Sequence, residues 1–178
     1  MIKILYTRIC ETDPRGKMRR LEHETALRLL RIGLADLGVQ DAEIKVSATG
    51  KPFLAQGEFH FNLTHSGGLC ACAIADHPVG IDVERIVERS EASLSRIADR
   101  MFSDKERTLL RESHDPLSTF YEIWVKKESI VKETGEGIKD LSHIDSTDAE
   151  ISLFRIEDFV LALFPAADSG CAPQKIIL

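Results

Sequence analysis

The stretch from residue 43 to residue 85 constrains the fold more than any other part of the chain. Four runs of strand character, EIKVSA, FHFNLTHS, LCACAIAD and VGIDVER, follow one another with only Gly, Pro or Asp-His breaks between them. Parallel neighbours need a crossover of a dozen or more residues, and these connections are too short for one. Antiparallel hairpins are the expected result. Around this block the periodicity changes. Residues 1–8 alternate as a strand, then Asp13-Pro14 offers a helix start and Leu27, Leu30, Leu34 and Leu37 recur at helical spacing up to Gly38. Helical character resumes near Ser90, restarts at SDKERTLLRESH and again at DPLSTFYEIWVKKESIVKETG, each time behind a Ser or Asp-Pro cap. EISLFRIE and FVLALF close the chain as two more strands. The order predicts an α+β protein, in which helices followed by hairpin strands occur twice.

Composition narrows the function classes. A chain of 178 residues with 43% apolar and 29% charged residues holds one domain or two small halves, and needs no disulfide or metal to fold. A net charge of -6 argues against broad nucleic-acid binding, although RGKMRR is a local basic cluster. LCACAIA and FVLALF are too short to span a membrane, and MIKILYTR lacks the length and cleavage site of a signal peptide, so the cytosol is the expected compartment. Cys10, Cys70, Cys72 and Cys171 lack the spacing of zinc or redox motifs, and read as reduced structural thiols.

Several segments carry chemistry, and each also has a plain structural reading. In VGIDVER, Asp82 and Glu84 project from one strand face while Ile81 and Val83 take the other. Adjacent carboxylates repel, and a divalent cation with oxygen ligands relieves the repulsion; a solvated strand face explains them equally. His65 and Ser66, followed by two glycines, can present an imidazole and backbone N–H groups to an anion, or simply end a strand. SDKE is a capping box pairing Ser103 with Glu106, and on that reading Glu106→Gln should cost little stability because glutamine serves there too. Glu128 and Lys132 lie one turn apart, the spacing of a favourable surface ion pair.

Taken together, GKPFL (50–54), FNLTHSGG (61–68), VGIDVER (79–85), FSDKE (102–106) and WVKKESIVKETGEGI (124–138) resemble, in order and approximate spacing, the 4'-phosphopantetheinyl transferases. Their lengths resemble the longer, monomeric branch typified by enzymes of peptide and polyketide synthesis. The resemblance implies Mg²⁺-dependent transfer of the phosphopantetheine arm of coenzyme A (CoA) to a serine of an apo-acyl, peptidyl or polyketide carrier protein, releasing adenosine 3',5'-bisphosphate. Mn²⁺ is the alternative ion. It implies Asp82, Glu84 and Glu128 as metal acids, Lys132 on the CoA pyrophosphate, and Lys127 as a second CoA-contacting lysine. Gly50, Lys51 and Pro52 fall near the adenine, His65 and Ser66 at CoA phosphates, and Glu106 near the reaction centre with Glu128 and Lys132. The base is Glu128 or a metal-bound water, and the segment between Glu106 and Trp124 faces the carrier. The resemblance also implies two similar halves, 1–85 and 86–178, forming a pseudo-dimer with the site in the cleft between them. The alternatives are a holo-acyl-carrier-protein synthase restricted to fatty-acid synthesis and a non-catalytic CoA-binding protein of the same fold. Where relatives carry an arginine ahead of the first helix's apolar run, this chain reads LEHETALR. Arg19, Arg20 or Arg28 supplies that contact to the 3'-phosphate, or lies on a solvated face.

Overall fold

The computed structural model describes residues 1–9, 18–135 and 141–178. Cys10, the Asp13-Pro14 helix start, the first part of RGKMRR, and Gly137 and Ile138 lie outside the described residues. The elements run β1 (Ile2–Arg8), α1 (Met18–Asp36), β2 (Ile44–Val46), β3 (Pro52–Leu54), β4 (His60–Ser66), β5 (Leu69–Ala75), β6 (Gly80–Arg85), α2 (Glu91–Met101), α3 (Asp104–Glu112), α4 (Pro116–Thr134), β7 (Ser152–Ile156), β8 (Phe159–Phe164) and β9 (Gln174–Lys175). The mixed α+β composition expected from the sequence is present. β3 and β9, three and two residues long, were too short to show periodicity.

Three sheets form. β4-β5-β1-β9 is antiparallel except where β9 joins β1 in parallel; β2 and β3 make a hairpin; β6-β8-β7 is antiparallel throughout. The β4–β5 connection is a two-residue turn, Gly67-Gly68, with φ of 55° and 87°. Two successive positive φ values define the hairpin turn that matches strand twist, and glycine adopts both without strain.

β5 is buried along its whole length, and its alternate residues serve different cores. Cys70, Cys72 and Ile74 pack with α1, whereas Leu69, Ala71, Ala73 and Ala75 pack with Ile81, Val83, Leu161 and Leu163 of the second sheet. Val160 and Ala162, on the other face of β8, pack with α2, α3 and α4. The molecule is therefore layered, with α1 on one side, two sheets in the middle and α4 with its neighbours on the other. The buried stripe of α1 is Ala26, Leu29, Leu30, Gly33 and Leu34, so it includes Leu30 and Leu34 but turns Leu27 and Leu37 towards its margin. Burial pushes the Cys70 thiol up to about 12 and the Cys72 thiol further, which makes both unreactive packing groups. No helix among the described residues is long and apolar enough to cross a membrane.

The two large sheets are joined by side chains rather than by backbone pairing. Asn62, Thr64 and Ser66 alternate along β4 and so share one face. Asn62 Oδ1 accepts the Ile81 N–H at 3.0 Å, Thr64 Oγ1 accepts the Val83 N–H at 3.2 Å, and Ser66 Oγ donates to Glu84 Oε2 at 2.7 Å. This ladder satisfies the exposed edge of β6, and it fixes where β6 sits.

Candidate active site

The ladder leads directly to the acids. Asp82 is 2% exposed, and its Oδ1 accepts from Thr64 Oγ1 at 3.1 Å and from Lys132 Nζ at 2.5 Å. Lys132 also donates to Thr64 Oγ1 at 3.2 Å. Thus Lys132 reaches across from α4 to β6, and its partner is Asp82 rather than Glu128, the surface partner that helical spacing suggested. α4 approaches β6 this closely because Gly80 has no side chain. A Cβ there would stand 1.9 Å from Ser129 O and 2.5 Å from Glu133 N, both backbone atoms of α4.

The electrostatics follow from that proximity. Burial raises the Asp82 carboxyl, and Lys132 opposes the shift; burial and then Asp82 raise Glu84, against the Ser66 hydrogen bond. Glu128, buried at 9% exposure, is pushed up to about 8 by burial and then by Asp82, against Lys132 and a hydrogen bond from Trp124. For Lys132, burial alone would lower the ammonium, yet Asp82, Glu128 and Glu84 outweigh it and raise it. The arrangement is an over-acidic cluster held chiefly by Lys132, with Arg89 adding positive charge at Glu84.

The residues fit a divalent metal in their chemistry. Asp82 Oδ2 is buried with no hydrogen-bond partner among the described residues, and an orphaned carboxylate oxygen is costly unless a cation meets it. Among the described residues, however, no three His, Cys, Asp or Glu side chains stand close enough to make a ready-built metal site. Asp82 and Glu84 are drawn instead onto Lys132, Thr64 and Ser66.

Two pockets flank the acids along α4. One of about 290 Å³ is lined by Gly50, Lys51, Pro52, Asn62, Lys132 and Gly135; the other, about 190 Å³, lies between Glu84, Arg89, Phe120, Tyr121 and Trp124. Lys51 closes the first by donating to Glu133 O at 2.5 Å, a cation on the last turn of α4, where the helix dipole favours it. Gly135 ends α4 with φ 75°, and a Cβ there would meet Lys51 Cδ at 2.7 Å. Both groups named from GKPFL and the glycine closing α4 therefore lie together.

Other sequence-derived candidates are placed differently. Glu106 and Lys127 form an ion pair of 2.6 Å with both side chains fully buried, and Lys127 also donates to Ile144 O. The capping box of Ser103 and Glu106 is present, but Glu106 Oε1 additionally accepts from Ser146 N and Oγ. The expectation that Glu106→Gln costs little does not survive this geometry, because the change would strand a buried ammonium. His65 Nδ1 lies 3.2 Å from Glu22 Oε2, and its pKa is lowered first by burial. Arg19, Arg20 and Arg28 are exposed; Arg20 pairs with Glu24, and Arg19 is the one whose charge is felt at His65. Thr64, Gly80 and Glu22 are the participants that sequence reasoning missed. Their signals were an alternating polar face on β4 and, for Glu22, a charge four residues before Ala26 on the buried stripe.

A family model described as the 4'-phosphopantetheinyl transferase superfamily matches residues 78–172, more than half of the chain. The chain belongs to that superfamily. It is 35% identical over 122 residues to a 4'-phosphopantetheinyl transferase of Aneurinibacillus migulanus, covering 67% of this chain and 49% of the relative. It is 34% identical over 142 residues to one of Bacillus subtilis, covering 71% and 60%. A third, from Escherichia coli, is 34% identical over 143 residues, with 76% and 69% covered. The chain thus spans about half to three-fifths of the first two transferases' length. The superfamily match begins just before β6 and includes Asp82, Glu84, Glu128 and Lys132; the ladder residues of β4 lie ahead of it.

Proposed function

We propose that this member of the 4'-phosphopantetheinyl transferase superfamily transfers the 4'-phosphopantetheine group of CoA to a serine of an apo-acyl, peptidyl or polyketide carrier protein in the cytosol. The observation that carries the reading is the cluster of Asp82, Glu84 and Glu128 around Lys132, with a pocket at each end. The serine Oγ attacks the β-phosphorus, the bridging P–O bond breaks, and adenosine 3',5'-bisphosphate leaves. The serine proton passes to Glu128 or to water. Such a transfer depends chiefly on positioning and charge neutralisation, so no side-chain nucleophile is required. Asp82, Glu84 and Glu128 would hold Mg²⁺, or Mn²⁺ in its place, which when bound neutralises the pyrophosphate.

The chain's own groups divide the remaining work. Gly50, Lys51 and Pro52 border the pocket for the nucleotide end, and His65 and Ser66 meet CoA phosphates. The pocket of Phe120, Tyr121 and Trp124 receives the pantetheine end, and the segment from Glu106 to Trp124 faces the carrier. Glu106 and Lys127 act through their buried pair, which braces the turn of α4 that bears Glu128. The two helix-on-sheet units, 1–85 and 86–178, are equivalent halves of a pseudo-dimer, with β6 crossing over to complete the second sheet. One chain contains the whole site and works as a monomer.

Lys132 meets the charge that grows on the departing bisphosphate. Lys132→Ala should therefore lower single-turnover transfer by about 10²- to 10³-fold, while calorimetric CoA binding falls far less. Near-normal turnover would return Lys132 to a purely structural role beside Asp82.

Metal dependence has a pH signature. Without a divalent cation, the Glu128 carboxyl is raised in the folded state from 4.5 to about 8, so the folded chain binds more protons than the unfolded chain across that window. Stability should fall as pH rises through it. Mg²⁺ replaces the missing proton, and should raise the melting temperature more near pH 8 than near pH 5.5, a comparison differential scanning calorimetry makes directly. Chelator should abolish transfer. Equal Mg²⁺ effects at both pH values, or full transfer in chelator, would remove the metal assignment.

A further inference from the structure

Glu22 stands behind His65 and has no part in the mechanism so far. It lies on α1 at 6% exposure, where a carboxylate needs partners. Its Oε1 accepts the Gly68 backbone N–H at 2.7 Å, its Oε2 lies 3.2 Å from His65 Nδ1, and its own carbonyl faces the Cys70 thiol at 3.4 Å. One buried side chain therefore touches both His65, near the end of β4, and the backbone of the Gly67-Gly68 turn that follows.

We propose that Glu22 is a positioning residue for anion recognition, which accepts a hydrogen bond from His65 Nδ1–H, fixes the ring against the turn and leaves Nε2 as the nitrogen that meets a phosphate. This rests on the reading that the His65 turn contacts CoA phosphates. The chemistry requires such a partner. A neutral imidazole has one N–H; with that proton at Nδ1, Nε2 offers a lone pair and repels a phosphate oxygen. With Nδ1–H held by Glu22, the ring donates from Nε2 only as an imidazolium, and the carboxylate at Nδ1 stabilises that charged form. The surroundings oppose it. Burial lowers the His65 pKa, and Lys132 from α4 and His23 and Arg19 from α1 push the same way, with Glu22 as the opposing charge. An incoming phosphate then completes the balance from the other side. The neighbouring Ser66 hydroxyl is already committed to Glu84.

Glu22→Gln tests this without removing bulk. The glutamine carbonyl still accepts the Gly68 N–H, while its NH₂ faces His65 and obliges Nδ1 to accept. Nitrogen-15 spectra of the ring near pH 8, where imidazole is neutral, should show Nδ1–H in the natural protein and Nε2–H in the variant. The variant ring then meets the phosphate as a neutral Nε2–H donor in place of an imidazolium, and CoA affinity of the Mg²⁺-loaded protein should weaken by roughly tenfold, because a charge-assisted hydrogen bond is about twice as strong as a neutral one. The KM for the carrier should stay unchanged. Adding Glu22→Gln to His65→Ala should weaken CoA binding no further than His65→Ala alone. An Nε2–H ring in the natural protein, or an unmoved proton in the variant, overturns the proposal. So does unchanged CoA affinity in Glu22→Gln when His65→Ala weakens it. Unchanged affinity in His65→Ala would instead overturn the His65 assignment, and a natural protein that binds no CoA would overturn the transferase reading itself.

Discussion

Lys127→Ala is expected to cost about 3 to 5 kcal/mol of folding stability, because it leaves the Glu106 carboxylate buried without its counter-charge. For a chain of this size that is a fall in melting temperature of roughly 6 to 20 °C. Neither side chain has any exposed surface, so water cannot take the lysine's place. Ser103 and Ser146 would still donate to Glu106, but neutral donors stabilise a carboxylate less than an ammonium does. The double change Lys127→Met with Glu106→Gln removes both charges at similar volume, and should regain most of the lost stability. The double variant also separates structure from chemistry. If it melts near the natural protein yet transfers poorly, the pair contributes at the reaction centre. Recovery of both stability and transfer would leave the pair as a brace for α4 alone. A single Lys127→Ala variant that melts normally would contradict the buried geometry.

Gly80→Ala should be nearly as damaging, for a different reason. The added Cβ would sit 1.9 Å from Ser129 O and 2.5 Å from Glu133 N. Both are helix backbone atoms, so no rotamer change can relieve the clash, and α4 must move off β6. Overpacking typically costs 1 to 3 kcal/mol, and about 3 kcal/mol or more is expected where backbone must shift. The displaced helix carries Glu128 and Lys132, while Asp82 stays on β6. A misplacement of about 1 Å in such a site costs on the order of 10²-fold in rate. Transfer should therefore fall more steeply than stability, measured by thermal melts beside single-turnover transfer at a temperature where the variant remains folded. Wild-type transfer in a folded Gly80→Ala protein would show that the α4–β6 spacing does not set the site.

These two variants also mark where sequence stops being informative. Ser90, Ser103 and Asp115-Pro116 announced three helix starts, and each caps its helix in the structure, because capping is a contact within four residues. The strands of 60–66, 69–75, 80–85, 152–156 and 159–164 were legible for a similar reason, since alternation and short connections are local properties. The candidate acids were legible as types at a spacing. Asp82 and Glu84 had to share a face of one strand, and Glu128 and Lys132 a face of one helix.

Which of those groups meet was not legible. Helical spacing offered Glu128 as the partner of Lys132, whereas the structure supplies Asp82, fifty residues away in sequence, because Gly80 lets α4 close on β6. Lys127 and Lys132 look alike in WVKKESIVKETG, yet one is sealed against Glu106 and the other borders a pocket. Glu22 reads as one more charge on a polar helix end until Gly68 and His65 are brought to it. The sequence by itself determined the helices, the hairpins, the caps and the kinds of charged group available. Only the tertiary structure decided which charges are buried and which partner each one has, because burial and pairing depend on distances between segments that local spacing does not encode.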